Sequence, residues 1–271
     1  MCELFAMSSR APTTVSFSLE RLARHGGTEG PHRDGWGVAF YESNDAFLLR
    51  EPKAASESAL VQFIEQHAPP SSLVISHIRK ATHGDRGLRN TQPFIRELAG
   101  RIHLFAHNGD LRGIERSHDF LPGRFRPVGD TDSERAFCNL LERLTPLWEA
   151  GGGSVPPLAA RLDVVAAFAA ELRPLGPANF LYADADVLFA HAHRRQQANG
   201  KEGPPGLHLL QRSCHAMDEE LAGAGVTLTR QQQEVILVAS VPLTDEPWRT
   251  LKEGEVIALA GGDVLESRLP G

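Results

Sequence analysis

Met1-Cys2-Glu3-Leu4-Phe5 is the stretch whose reading decides the rest of the chain. Cys2 directly follows the initiator methionine. A small residue at this position lets aminopeptidases remove Met1, so the expected mature N-terminus is Cys2 itself. That residue would then carry a thiol and a free α-amine together. The thiol is the nucleophile, and the amine, with a reference pKa of roughly 7.7–8, can take its proton. A cysteine inside a chain needs a histidine or another base for the same task.

Working outward, Trp36 to Tyr41 reads as a strand, with a turn at Ser43-Asn44-Asp45 and a second strand over Ala46 to Arg50. Phe17, Leu19, Leu22 and Ala23 lie near helical spacing in 16–24, and Gly26-Gly27 stops them. Ser56 to His67 reads as a helix ended by Pro69-Pro70. Leu73 to Ile78 and Ile102 to Ala106 read as buried strands, the second leading into Asn108-Gly109. Long helices are expected over Asp132 to Trp148 and Leu158 to Leu172, joined by the flexible surface stretch Gly151 to Pro157. The remainder reads as strands over 179–182, 187–191, 207–210, 235–240, 256–260 and 264–267. Two helices between groups of short strands predict an α+β protein of two stacked sheets with helices outside. The glycine-rich stretch reads as a loop inside one domain spanning 1–271, because the strands after it have no evident core of their own.

The 271 residues are 41% hydrophobic and 23% charged, ordinary for a soluble globular protein and enough to bury a sizeable core. A net charge of −6, with both signs mixed along the chain, argues against a general nucleic-acid-binding surface. No run reaches the roughly 18 apolar residues of a membrane helix, and the N-terminus lacks the blocks of a signal peptide. Three cysteines, Cys2, Cys138 and Cys214, do not make a disulfide framework. A reducing cytoplasm is the expected location, and it would keep the Cys2 thiol free.

Three further segments carry chemistry. Arg79-Lys80-Ala81-Thr82-His83-Gly84 follows a strand, where loops commonly display functional side chains, and Arg79 could grip a carboxylate with two hydrogen bonds. Asn108-Gly109 reads either as a hairpin turn or as an oxyanion hole, the Asn108 amide and the Gly109 N–H facing a developing negative oxygen. The following Leu111-Arg112-Gly113-Ile114 does not alternate as a returning strand would. Thr131 and Glu134 form a capping box at a helix start, where Asp132 could also hold an ammonium group.

The ordered set is Cys2, Asp34-Gly35-Trp36-Gly37, Arg79-x-Ala81-Thr82-His83-Gly84, Gln92-Pro93-Phe94, His107-Asn108-Gly109 and Thr131-Asp132-Ser133-Glu134. It resembles the class II glutamine amidotransferases, a family of N-terminal-nucleophile hydrolases. At roughly one in twenty per residue, the five specified residues of the Arg79–Gly84 segment recur by chance about once in three million positions. The variant Met1-Cys2-Glu3-Leu4 with Pro31-His32-Arg33-Asp34-Gly35-Trp36-Gly37 is most similar to small stand-alone members. The resemblance implies a four-layer αββα sandwich. It implies that Cys2 attacks the side-chain amide of glutamine, that Asn108 and Gly109 stabilise the oxyanion, and that Arg79 binds the α-carboxylate. Asp132 would bind the α-ammonium, and Thr82 and His83 would line the carboxylate pocket. Glutamate and ammonia would leave, the ammonia either passing to a separate protein or being simply released, with no cofactor or metal taking part.

Three departures stand beside the resemblance. Lys80 occupies a position where many members have tryptophan. Pro31 stands where many have arginine, which leaves support of the N-terminus to His32 or Arg33. The chain also has no room for a domain that consumes the ammonia. Two other functions compete: hydrolysis of another γ-glutamyl amide, such as a glutathione-like peptide, and a non-catalytic binding or regulatory subunit that keeps the fold. His191-x-His193 with Cys214-His215 fits no common zinc spacing.

Overall fold

Glu3 to Ser9 form a run of seven consecutive buried residues, so both faces of this first strand are covered. A strand sandwiched in this way loses the apolar–polar alternation that marks a half-exposed one. That is why Glu-Leu-Phe-Ala-Met-Ser-Ser did not read as a strand in the sequence. The computed structural model describes residues 2–15, 32–81, 84–197, 199–214, 226–227 and 233–270. The helix expected over 16–24 lies outside the described residues.

Strand β1 (Glu3–Val15) lies in the middle of an eight-stranded antiparallel sheet. On one side it pairs with β4 (Ser71–Ile78), which pairs with β2 (Trp36–Glu42) and through it with β3 (Asp45–Glu51). On the other side it pairs with β13 (Gln233–Ala239), followed by β11 (His208–Cys214) and β14 (Arg249–Thr250). A short β12 (Val226–Thr227) joins the far end of β1. The second sheet has six antiparallel strands: β16 (Asp263–Arg268), β15 (Val256–Ala260), β8 (Leu188–His191), β7 (Ala178–Ala183), β6 (Arg101–Gly109) and β5 (Phe94–Leu98). A separate two-stranded ribbon is made by β9 (Arg195–Gln196) and β10 (Glu202–Gly203).

The sheets stack through Leu4, Ala6, Ile75, Leu104, Leu181 and Ile236, all buried. Outside the six-stranded sheet lie α2 (Asp132–Ala150) and α3 (Leu158–Leu172), whose Phe137, Trp148 and Phe168 bury against Phe105 and Phe180. The Phe105 ring lies 5.4 Å from those of Phe137 and Phe180, a spacing at which aromatic pairs attract beyond simple burial. Outside the eight-stranded sheet, α1 (Ala59–His67) buries Val61 and Ile64. The order of layers is α, β, β, α, the α+β sandwich expected.

Element boundaries moved where tertiary pairing extended a local signal. Asn108 and Gly109 do not turn: they continue β6 and pair with Asn179 and Ala178 of β7. The α1 helix starts at Ala59 rather than Ser56, because the Ser58 hydroxyl accepts the N–H groups of Leu60 and Val61 and so caps it there. At the start of α2, Thr131 accepts the Glu134 N–H at 3.2 Å, as a capping box requires. The Glu134 carboxylate does not return to the cap. It accepts the Gly129 N–H at 2.7 Å and pairs with Arg96 at 2.6 Å, locking the approach to the helix.

Three buried imidazoles make the fold acid-sensitive. Burial holds His77, His103 and His191 each at a pKa of about 3, far below the ordinary 6.5. The unfolded chain therefore binds protons on these residues that the folded chain refuses. Stability from this source is full above about pH 6.5 and is lost as pH falls towards 3, with a limiting slope of about 1.4 kcal/mol per pH unit for each imidazole. Urea unfolding at pH 7, 5.5 and 4.5 should show an accelerating loss. A flat profile over that range would contradict the neutral burial of these three residues.

Candidate active site

The pairing of Glu3 with Ile78 and Leu4 with His77 brings Cys2 to the place where β4 ends and the Arg79-Lys80 segment begins. There the Lys80 N–H donates to Cys2 Sγ at 3.3 Å, and the thiol faces the Lys80 carbonyl at 3.4 Å. Cys2 is half-buried at one wall of a cavity of about 280 Å³. Lys80, Gly109, Asp110, Gln196 and Glu202 share that wall. An adjoining cavity of about 590 Å³ is bounded by the segment Leu111 to Arg116 and by Asp132 and Arg135 at the start of α2. Arg112 lines both cavities.

Most of the sequence motifs turn out to hold this wall rather than line it. Asp34 accepts the Ala81 N–H at 2.8 Å and pairs with Arg86 at 2.5 Å, while the Asp34 N–H donates to the Arg79 carbonyl. The Arg79 N–H donates to the Gly35 carbonyl. Gly37 has no space for a side chain, since a Cβ there would stand 2.3 Å from the Gln92 carbonyl oxygen. The Gln92 amide in turn pairs in both directions with the His107 backbone, at 2.6 and 3.3 Å. A continuous set of contacts thus runs from the 34–37 motif to Asn108-Gly109.

The expected site residues fall into three groups. Cys2 and Gly109 line one cavity together, and Asp132 lines the next. Asn108 is fully buried behind Gly109, with its side-chain amide 3.2 Å from the Ser240 hydroxyl. Arg79 is buried and lines neither cavity. Its guanidinium donates to the carbonyls of Asp85 at 2.7 Å and Gly84 at 3.2 Å, so it secures the 84–85 turn. Thr82 and His83 lie outside the described residues. Sequence reasoning missed Gln196, Glu202, Arg112 and Arg135, which carry no motif and reach the cavities only through tertiary folding. It also gave no role to Ser240, which lay in plain view at the end of a predicted strand.

The electrostatics bear on how the thiol would react. Burial pushes the Cys2 thiol above its ordinary pKa, opposed by the Lys80 hydrogen bond. At neutral pH the group is a thiol rather than a thiolate, so attack requires a base. Burial also keeps His107 neutral, and its Nδ1 is already 2.9 Å from the Ser133 hydroxyl. The Asp132 carboxylate accepts the Leu111 N–H at 2.7 Å and the Ser133 N–H at 2.8 Å, which fixes it as an oriented anion at the cavity edge. Among the described residues no group of three or more His, Cys, Asp or Glu is placed to hold a metal ion, and no helix is long and apolar enough to cross a membrane.

Comparison with known proteins places this geometry among relatives. A sequence model described as "Glutamine amidotransferases class-II" matches residues 1–270. The protein named "Putative glutamine amidotransferase YafJ" of Escherichia coli strain K12 is 36% identical over 256 residues, covering 94% of this chain and 96% of its own. A crystal structure of a predicted glutamine amidotransferase from Pseudomonas aeruginosa superposes with a TM-score of 0.68 at 36% identity, over 98% of this chain and 100% of that one. Glutamine phosphoribosylpyrophosphate amidotransferase from B. subtilis shares the fold at 17% identity, with a TM-score of 0.61 over 99% of this chain and 49% of its own.

The close approach of β6 to β7 beside Cys2 supplies a stability test. A Cβ on Gly109 would lie 1.7 Å from the Pro177 carbonyl oxygen and 2.6 Å from the His107 ring. Gly109→Ala should therefore cost at least about 1–3 kcal/mol, as overpacking does. Gly203→Ala, where nothing lies within 4 Å, should be nearly neutral. Equal urea midpoints for the two variants would show that the β6–β7 contact is not as close as described.

Proposed function

This chain belongs to the class II glutamine amidotransferases, and we propose that it hydrolyses a γ-glutamyl amide, with glutamine as the first substrate, through a thioester on Cys2. Removal of Met1 supplies the base that the raised thiol pKa demands. The α-amine of Cys2 takes the Sγ proton, and Sγ forms a bond to the amide carbon. The tetrahedral oxyanion is held by the Asn108 amide and the Gly109 N–H. Collapse breaks the C–N bond, the amine returns its proton to the leaving nitrogen, and ammonia departs. Water then cleaves the thioester to glutamate and regenerates the thiol.

The observation that carries this reading is the meeting of Cys2 and Gly109 in one cavity, with Asp132 at the edge of the next. Asp132 binds the substrate ammonium. Arg79, with Thr82 and His83, shapes the carboxylate side, Arg79 by holding the carbonyls of Gly84 and Asp85 in place. The whole of 1–271 acts as one amidotransferase domain in the cytoplasm, without cofactor or metal, and passes its ammonia to a separate protein or to solvent.

A second reading, a γ-glutamyl peptide as the true substrate, is favoured by the cavity wall. Lys80, Asp110, Arg112 and Glu202 surround the space beside Cys2 with charges of both signs. Ammonia needs no such lining, whereas a leaving group with its own ammonium and carboxylate would be matched by it. Comparing ammonia release from glutamine with amine release from γ-glutamyl dipeptides separates the two readings.

Mass spectrometry of the purified protein should show loss of Met1. Incubation with a glutamine-analogue electrophile should add its mass to the Cys2 peptide alone. Cys2→Ala should abolish both labelling and turnover, and Asn108→Ala should lower kcat by about 10²–10³-fold, the usual effect of losing one oxyanion donor. Asp132→Asn should act mainly on KM. An intact, processed protein that takes no label would overturn the hydrolytic reading in favour of a binding role.

A further inference from the structure

We propose that Ser240 is the positioning residue that sets the orientation of the Asn108 amide, and through it the oxyanion site; the inference rests on the hydrolytic reading above. Ser240 is fully buried directly after β13 and joins the two sheets at the base of the site. Its N–H donates to the Leu4 carbonyl at 3.0 Å, and its hydroxyl oxygen accepts the Leu4 N–H at 3.0 Å. The same oxygen lies 3.2 Å from the Asn108 side-chain amide, across the inter-sheet layer. Ser240 thus touches both the strand that carries Cys2 and the residue assigned to the oxyanion.

Counting donors and acceptors shows which way the amide faces. With Asn108 Nδ2 toward Ser240, the serine oxygen accepts twice and its own proton has no acceptor among the described residues. Asn108 Oδ1 is then buried with no hydrogen-bond partner. A hydroxyl has one donor and two acceptor positions, and the two ends of an asparagine amide have nearly the same shape. Turning the amide over pairs the Ser240 proton and the Asn108 carbonyl oxygen with each other, and leaves the Asn108 NH₂ without a protein acceptor. Leu4 N–H donates to Ser240 Oγ, and Ser240 Oγ–H donates to Asn108 Oδ1. The Asn108 NH₂ then stands where the unpartnered oxygen was, with its protons free. The Asn179 amide holds the Asn108 carbonyl at 3.1 Å, so the backbone at this point is fixed independently of the side chain. Ser240 acts as a one-way relay: having accepted from the Leu4 N–H, its remaining proton selects the carbonyl end of Asn108 and leaves the donor end for the reaction.

Two measurements test this. Neutron diffraction from crystals of the deuterated, Met1-processed protein should place a deuteron between Ser240 Oγ and Asn108 Oδ1. Deuterons of the Asn108 ND₂ group pointing at Ser240 would overturn the inference outright. In kinetics, Ser240→Ala should lower kcat at least tenfold with KM within twofold, and should leave the rate of Cys2 alkylation by iodoacetamide unchanged. The Ser240→Ala, Asn108→Ala double variant should be no slower than Asn108→Ala alone, since the two residues act as one unit. A wild-type kcat in Ser240→Ala, or independent multiplying losses in the double variant, would also overturn it. Absence of turnover by the wild-type protein on both glutamine and γ-glutamyl dipeptides would sink the hydrolytic reading instead, and the deuteron positions would then decide the Ser240 inference by themselves.

Discussion

The two-sided pairing of β1 is the constraint on which the rest of the molecule depends. Its residues are hydrogen-bonded in register to β4 on one edge and to β13 on the other. Because side chains alternate across a strand, a slip of one residue would exchange Leu4 and Ala6 with Phe5 and Met7 between the inter-sheet layer and the outer core. Neither layer would accept that exchange, so the register is fixed from both edges and both faces. Cys2, one residue before the strand, inherits that fixity, and its sulfur is held further by the Lys80 backbone at the end of the neighbouring strand. On the proposed reading, in which Met1 is removed, no chain precedes Cys2 to hold it, and the sheet provides the hold.

The same arrangement brings an unusual amount of polarity into the space around the site. His107, Asn108, Asn179 and Ser240 are all buried on or next to β6, β7 and β13. Buried polar groups are tolerated when each finds a partner, and they then fix one geometry rather than several. Asn179 shows how closely this is done: its amide donates to the carbonyls of Asn108 and Arg194 and accepts the His193 N–H. Such a network is rigid because any member that moves leaves another unsatisfied.

Much of this was legible in the sequence, for reasons that differ by element. Helix α3 was read to its last residue, since its apolar spacing is local and unopposed. The N-cap at Thr131 was also legible, because a cap is a local signal, although the Glu134 carboxylate that should have completed the box is taken by Gly129 and Arg96. The strands β1 and β5 were not seen. One is buried on both faces, and the other, Phe94–Leu98, is five residues with a mixed pattern. Asn108-Gly109 was open between a turn and an oxyanion site because an Asn-Gly pair carries the hairpin signal wherever it occurs; only the partner strand, 70 residues away in sequence, excludes the turn. The site motifs were visible as residue types, but the division between those that line a cavity and those that brace it was not. Arg79 illustrates this, since its carbonyl partners belong to its own following loop.

The β9–β10 ribbon pairs only with itself, yet it contributes Gln196, Gly200 and Glu202 to the space beside Cys2. Its attachment to the sheets passes through Arg195, whose guanidinium donates to the Ser240 carbonyl at 3.0 Å. Together with the Arg194 carbonyl, which accepts the Asn179 amide, this ties down the base of the ribbon, and its tip can be lengthened, shortened or recharged while the layers beneath stay intact. On the proposed reading, selectivity for the leaving group could therefore change by rewriting some ten surface residues, with the residues around Cys2 carried along unaltered.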